Sequence, residues 1–287
     1  MKKKFALIGA SGFIAPKHFN AIKQTGNKLK IIYDVNDTVG KIDSFFEDVF
    51  FTLKIKEFKN YIKNNKLDYV VICSPNYLHY KYIKLALHNN INVICEKPLV
   101  LHSRQLFDIK KLEKKYNKKV NCIMQLRLDK FLISKIKKIK KQKDFLNIKV
   151  KYITKRGNWF LKSWKGNPKK SGGLTTNIGI HLFDFLILNF GNPIKSVIKN
   201  SNPTTAKGLL KFKNAKVDWL ISVDNSKIPK NENSNSYRKM FIGKNVIDLS
   251  NNFTDLHTKS YEYILKNKGY GIDEVKESLK LCEKLRK

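Results

Sequence analysis

Two stretches of the sequence hold residue types that move protons: Glu96-Lys97-Pro98, and the run from Asn177 to Asp184. Lys97 follows an apolar run, Asn92–Cys95, that reads as a buried strand. A lysine at the carboxyl end of a central strand in an open parallel sheet faces the ligand crevice. Tuned by its surroundings, its amine exchanges a proton with a substrate hydroxyl. The base-rate alternative is a surface lysine, because the chain has 53 of them. In the second stretch Asn177, His181 and Asp184 are spaced by four and three, so on one helix they share a face. A purely structural helix does not favour an amide, an imidazole and a carboxylate together among apolar neighbours. The competing reading is a capped helix start with a satisfied core histidine.

A third stretch suits phosphate. Gly9-Ala10-Ser11-Gly12-Phe13-Ile14-Ala15 lies between an apolar strand, Phe5–Ala10, and a helix expected over Phe13–Gln24. Small residues let the backbone approach a pyrophosphate, and the N–H groups of the helix start bind it. The spacing GxxGxxA is one residue longer than the usual fingerprint. Strand two, Leu29–Val35, carries Asp34, 22 residues past Gly12. A carboxylate there accepts hydrogen bonds from an adenosine ribose and repels a 2′-phosphate, which selects NAD over NADP.

The elements that must position these groups alternate over the first ~120 residues as a doubly wound parallel sheet requires. Further strands are expected at Val49–Thr52, Tyr69–Ser74 and Val120–Leu126, with helices at Ile55–Asn64, His79–His88 and Ser103–Tyr116. After a polar helix, Phe131–Lys143, come alternating runs at Ile148–Thr154, Gly208–Lys213, Val217–Val223 and Lys239–Leu249. Alternation of this kind makes an open antiparallel sheet with one covered face. One apolar helix, Ile178–Asn189, interrupts them, and Asp273–Arg286 is amphipathic. The predicted class is α/β, with a Rossmann domain over 1–121 and an α+β domain with a large, mostly antiparallel sheet over 122–287. The C-terminal helix is expected to pack back on the first domain, and the active site to lie in the cleft between the two.

Composition narrows the partners. Hydrophobic residues are 42% of the chain, which excludes disorder. No apolar run reaches the ~20 residues of a membrane span, and no secretory leader is visible, so a cytoplasmic protein without a membrane partner is expected. Cys73, Cys95, Cys122 and Cys282 show no metal-type spacing, so neither disulfide nor metal is predicted. The net charge of +35 comes from 53 lysines and only five arginines spread along the chain. Nucleic-acid surfaces recruit arginine for its planar fork, so the charge reads as solvated faces, not a nucleic-acid site. It still attracts anionic small substrates.

Three elements in order resemble the glucose–fructose oxidoreductase/inositol dehydrogenase (Gfo/Idh/MocA) family. They are the glycine turn with Ala15 and His18, Ser74-Pro75-Asn76-Tyr77-Leu78-His79 leading to Glu96-Lys97-Pro98, and Gly179-Ile180-His181 with Asp184. Two longer segments, Arg156-Gly157-Asn158-Trp159 to Gly166 and Phe253-Thr254-Asp255-Leu256-His257-Thr258 to Asp273, are similar to those of bacterial UDP-N-acetylglucosaminuronate 3-dehydrogenases. The resemblance implies NAD-linked oxidation of the sugar C3 hydroxyl to a 3-keto product, on the way to diacetylated mannuronic acid in surface polysaccharides. In some members 2-oxoglutarate reoxidises the bound NADH. It also implies Lys97 and His181 as the acid/base pair and Asn177 as a sugar-positioning group. Ser74, Asn76, His79, Glu96 and Lys97 would line the nicotinamide side, with Gly9, Ser11, Gly12, Phe13, Ile14 and Asp34 on the rest of the cofactor. Many family members have Asp where this chain has Asn177, and an amide cannot act as a base. A homo-oligomer, dimer or tetramer, is expected by analogy.

Arginine scarcity adds an inference of its own. Where lysine is so dominant, each arginine is a candidate for forked binding of a carboxylate or phosphate. Arg127 and Arg156, with Lys162 and Ser163, are therefore predicted to hold the uronate carboxylate or the diphosphate. Rival readings are a dehydrogenase of another sugar or cyclitol, and a catalytically idle NAD-binding sensor.

Overall fold

The computed structural model describes residues 2–37, 39–142, 144–232, 234–250 and 256–286. The chain folds as two units, Met1–Met124 with Asp255–Val275, and Gln125–Thr254 with Lys276–Lys287. The first unit contains β1 (Lys4–Ile8), β2 (Lys28–Tyr33), β3 (Phe50–Thr52), β4 (Tyr69–Ile72), β5 (Asn92–Cys95) and β6 (Val120–Cys122). Between them lie α1 (Ala15–Gln24), α2 (Val39–Asp43), α3 (Ile55–Asn64), α4 (His79–His88) and α5 (Arg104–Tyr116). The strands form one parallel sheet in the order β3-β2-β1-β4-β5-β6, the doubly wound topology. Every residue of β4 is buried, as a strand covered on both faces requires.

The second unit begins with α6 (Lys130–Lys140), then β7 (Leu146–Thr154) and four helical segments: α7 (Trp159–Lys162), α8 (Pro168–Ser171), α9 (Gly173–Asn177) and α10 (Ile180–Phe190). Strands β8 (Lys195–Ser201), β9 (Thr205–Lys211), β10 (Ala215–Ser222), β11 (Ser236–Ile242) and β12 (Asn245–Asp248) follow. Their sheet runs β12-β11-β7-β10-β9-β8, antiparallel except where β7 and β10 pair in parallel. Burial alternates along β7 and β10, leaving one face covered. On the covered side Phe183 of α10 meets Trp219 of β10 edge-on, with ring centroids 5.2 Å apart.

Two helices close the chain, α11 (Leu256–Leu265) and α12 (Ile272–Lys284). Helix α11 belongs to the first unit, where Tyr261 and Ile264 join a core with Phe5, Leu7, Phe19 and Val71. The sequence reading identified no helix here and looked to the C-terminal helix for a return to the first domain. The return is made by α11, while α12 runs from the first unit into residues of the second. Residues Phe253 to Asp255 of the resemblance lie outside the described residues. All four cysteines are buried, and none is in a disulfide. Among the described residues no helix is long and apolar enough to cross a membrane.

Candidate active site

At the glycine turn, geometry dictates residue type. Gly9 has φ +98°, and a Cβ there would lie 2.6 Å from the Ser74 backbone nitrogen, so no side chain fits. A Cβ on Gly12 would come no closer than 3.4 Å to the Gly9 carbonyl, which is tight but tolerable. Helix α1 starts with no side-chain cap and no acidic residue in its first turn, so no carboxylate of that turn opposes an anion at its positive end. Asp34 is buried, and its two oxygens accept from the Ser11 N–H (2.7 Å) and the Asn36 N–H (2.9 Å). Each oxygen keeps a second lone pair for a ribose hydroxyl. The Ser74 hydroxyl is buried with no hydrogen-bond partner, a cost that a bound polar group removes. Cradle, uncapped helix start, Asp34 and Ser74 together fit a dinucleotide. Phe13 is 87% exposed at this turn, and Ile14 ends it as the residue before α1.

The loops after β4 and β5 are joined by His79. Its Nδ1 faces the Pro98 carbonyl at 2.7 Å and its Nε2 the Ser74 carbonyl at 2.8 Å, inside a fully buried pocket. A neutral imidazole carries one N–H and donates to one of these two carbonyls, so His79 spans the two loops. Asn76 opens the intervening 3-10 turn and is buried.

Glu96 is a buried hub. Its Oε1 accepts from His18 Nε2 (3.0 Å) and His257 Nε2 (3.1 Å), and its Oε2 from the Lys97 backbone N–H (3.2 Å). Tyr261 Oη lies 2.8 Å from His18 Nδ1. Burial opposes the Glu96 charge, but the two histidine hydrogen bonds outweigh it and hold the carboxyl well below its usual range. Burial lowers the pKa of His18, so its ring is neutral. The donor atoms of His18, Glu96 and His257 lie within 4.8 Å of one another, a cluster that could hold a cation. Hydrogen bonding alone satisfies every one of these atoms. Lys97 itself is half-buried at the end of β5.

In the second unit, the single helix expected to carry Asn177, His181 and Asp184 is broken. Asn177 ends α9, while His181 and Asp184 lie on α10, one helical turn apart. The break falls at Gly179, where a Cβ would sit 2.6 Å from Ile221 of β10 and 2.7 Å from the Thr175 carbonyl. Only glycine lets the chain pass so close to the sheet, and it is a poor helix former. Asn177 and His181 are both buried.

Arg127 makes a forked bond, but to the protein's own carboxylate. Its Nε and Nη2 donate to Asp184 Oδ2 and Oδ1 at 2.8 and 2.9 Å. The residue expected at the substrate thus pairs with Asp184 through two of its five N–H groups. Burial raises the Asp184 pKa, and hydrogen bonds from Arg127 and Ser278 offset this only in part. Two further arginines also have internal tasks. Arg286 donates to Thr176 Oγ1 at 2.8 Å. Arg238 donates twice to Thr154 Oγ1 and lies 4.9 Å from the Tyr152 ring centroid.

Arg156 is different. It is half-buried, its Nη1 donates to the Lys155 carbonyl, and burial together with the neighbouring Arg238 disfavours its charge. Lys165 is disfavoured by burial and by Arg156, and its amine lies 5.0 Å from the Trp159 ring and 5.6 Å from that of Trp164. Cations that repel one another in partial burial make an anion-seeking surface. Lys162 is exposed nearby, and Ser163 is engaged in the local turn, donating to Phe160 O and accepting from the Lys165 N–H. Lys165 and Arg238 were not among the predicted site residues, although arginine scarcity already flags Arg238.

Residues 3–123 match the NAD-binding Rossmann fold of the Gfo/Idh/MocA oxidoreductase family, and residues 137–245 its C-terminal alpha/beta domain. The chain belongs to this family, and its first unit carries the family's NAD-binding domain. It is similar to the WlbA (WbpB) dehydrogenase of Thermus thermophilus, crystallised with NAD and UDP-GlcNAcA. The match has 36% identity and a TM-score of 0.93, and covers 100% of this chain and 95% of that one. The same dehydrogenase in complex with NAD and alpha-ketoglutarate matches at 37% identity, TM-score 0.93 and the same coverage. WlbA of Bordetella pertussis, at 16% identity and TM-score 0.79 over 99% of this chain and 94% of that one, shares the fold. Glucose-6-phosphate 3-dehydrogenase of Bacillus subtilis is 26% identical over 192 residues, 64% of this chain and 53% of its own. The chain spans about half the length, or less, of the curated relatives it matches.

Proposed function

We propose that this protein oxidises the C3 hydroxyl of UDP-N-acetylglucosaminuronate with NAD, giving the 3-keto sugar. The observation that carries the reading is the full-length likeness, at 36% identity, to a dehydrogenase crystallised with NAD and UDP-GlcNAcA. A second relative is named as a 3-dehydrogenase of another anionic sugar, which supports oxidation at C3. Bound NAD supplies the hydride acceptor. Lys97 takes the hydroxyl proton, while His181 and Asn177 hold the sugar; an amide at 177 cannot serve as a base. Arg156, with Lys162 and Lys165, meets the uronate carboxylate or the diphosphate, and an anion there relieves the mutual repulsion of half-buried cations.

Regeneration of NAD by 2-oxoglutarate, which would accept the hydride and a proton to become 2-hydroxyglutarate, belongs to the same reading. It is supported by the Thermus complex with alpha-ketoglutarate. So do a cytoplasmic homo-oligomer and a product passed to an aminotransferase for surface-polysaccharide synthesis. The test is incubation with UDP-N-acetylglucosaminuronate, NAD and 2-oxoglutarate, followed by mass spectrometry of the nucleotide-sugar. Loss of two hydrogens, abolished by Lys97→Met, is the expected result. An unchanged mass, with oxidation of glucose 6-phosphate in its place, would overturn the substrate assignment and keep the reaction class.

A further inference from the structure

The hydrogen bonds around Glu96 identify the donors that hold its two oxygens. Both His18 Nε2 and His257 Nε2 point at the same oxygen, Oε1, at 3.0 and 3.1 Å. A carboxylate only accepts, so both nitrogens must be N–H donors. With its proton on Nε2, neutral His18 leaves Nδ1 to accept from the Tyr261 hydroxyl at 2.8 Å. The remaining oxygen, Oε2, takes the backbone N–H of Lys97 at 3.2 Å. One consistent arrangement results, in which Tyr261 donates to His18, and His18, His257 and Lys97 donate to Glu96. His18, Glu96, His257 and Tyr261 are 0%, 8%, 5% and 0% exposed, so water does not substitute for any of these partners.

We propose that His257 and His18 are positioning residues, which lock the Glu96 carboxylate so that its free oxygen fixes the backbone at Lys97 and thereby aims the Lys97 amine. The proposal rests on the reading of Lys97 as the proton acceptor. His257 and Tyr261 come from α11, so a helix far along the chain completes the setting of a residue at the end of β5. Displacement of a catalytic group by about 1 Å costs on the order of a hundredfold in rate, so a second layer of this kind has a kinetic signature.

The test compares His257→Leu, His257→Gln and Glu96→Gln in the full-length protein. A glutamine at 257 has an amide N–H in place of the imidazole Nε2–H, whereas leucine has no donor. His257→Leu should lower kcat about tenfold to a hundredfold, with KM for the sugar and NAD affinity within about threefold of normal. His257→Gln should recover most of that loss. Glu96→Gln is nearly isosteric, but with its carbonyl toward the histidines it sets an amide donor against the Lys97 N–H. It should therefore lower kcat as His257→Leu does, even if the leucine variant folds poorly. A readout independent of the sugar is the pH dependence of Lys97 acetylation by acetic anhydride, followed by peptide mass spectrometry with NAD bound. Its profile should shift in His257→Leu and return in His257→Gln. This decides the proposal even if UDP-N-acetylglucosaminuronate is not the substrate. An unchanged Lys97 profile in both His257→Leu and Glu96→Gln would overturn it, as would a glutamine variant no better than the leucine one. Stoichiometric zinc whose chelation abolishes NAD binding would also overturn it, because a cation would replace both histidine protons.

Discussion

Among the buried carboxylates, Glu96 of the first unit and Asp184 of the second are treated in opposite ways. Glu96 in the first unit accepts from two imidazoles and a backbone N–H, and is held ionised against the pull of burial. Asp184 in the second receives an arginine fork, yet burial still raises its pKa. The difference matches the tasks. A carboxylate held by several directed donors is suited to fixing a neighbouring group, whereas a buried ion pair gives little net stability but makes loss of either partner costly.

If that contrast is right, chemistry and stability can be broken separately. The largest effect is expected from Lys97→Met, which should cut kcat by about 10³-fold or more, with an unchanged melting temperature and NAD affinity. Next comes Asp184→Asn, which leaves Arg127 half-paired and should cost about 3 kcal/mol in urea unfolding, with near-normal kcat in the folded fraction. Gly9→Ala sharpens the cofactor side of the comparison. Its Cβ would collide with the Ser74 backbone, so it should cost about 2 kcal/mol and most NAD binding, whereas Gly12→Ala should cost far less. Arg156→Ala should raise the sugar KM about tenfold, or ~1.4 kcal/mol, with little change in kcat; an unchanged KM would remove the anion role.

The smallest expected effect is on pH. Burial lowers the pKa values of His18 and His79 from 6.5, so the folded protein holds fewer protons than the unfolded chain in the window just below that value. Stability should therefore be intact above about pH 6.5 and fall as pH drops below it, by at most ~1.4 kcal/mol per pH unit for each ring. Glu96, whose pKa is lowered from 4.5, adds a second loss once pH falls below that value and on through its folded pKa. Urea melts across this range check both windows, and a flat profile between pH 6.5 and 5.5 would show that the rings are protonated in the native state.

The parallel sheet was legible because its strands are short apolar runs punctuated by glycine and polar turns, and α4 falls where periodicity placed it, at His79–His88. β8 was not, because Lys195–Ser201 is an exposed edge strand with little apolar alternation to betray it. Asn177, His181 and Asp184 were expected on one helix face, but the helix break between α9 and α10 depends on Ile221, which is remote in sequence. Arginine scarcity found a forked bond at Arg127 without revealing that its acceptor was Asp184, for the same reason. His18 and His257 stood in the segments that carried the family resemblance, yet nothing local shows that both reach Glu96.

The return of α11 also has a consequence for the order in which the protein can be made. On the ribosome, every strand of the second sheet is synthesised before Tyr261 and Ile264, which complete the core around Phe5 and Phe19. Until then the nascent N-terminal unit exposes the apolar surface those side chains will cover, each worth roughly 1.5–3 kcal/mol when buried. Its folding is therefore finished late, by a segment made after the whole second sheet. A fragment cut at residue 124 would lack that segment, and an expressible cofactor-binding unit would have to carry residues 256–275 as an appended piece.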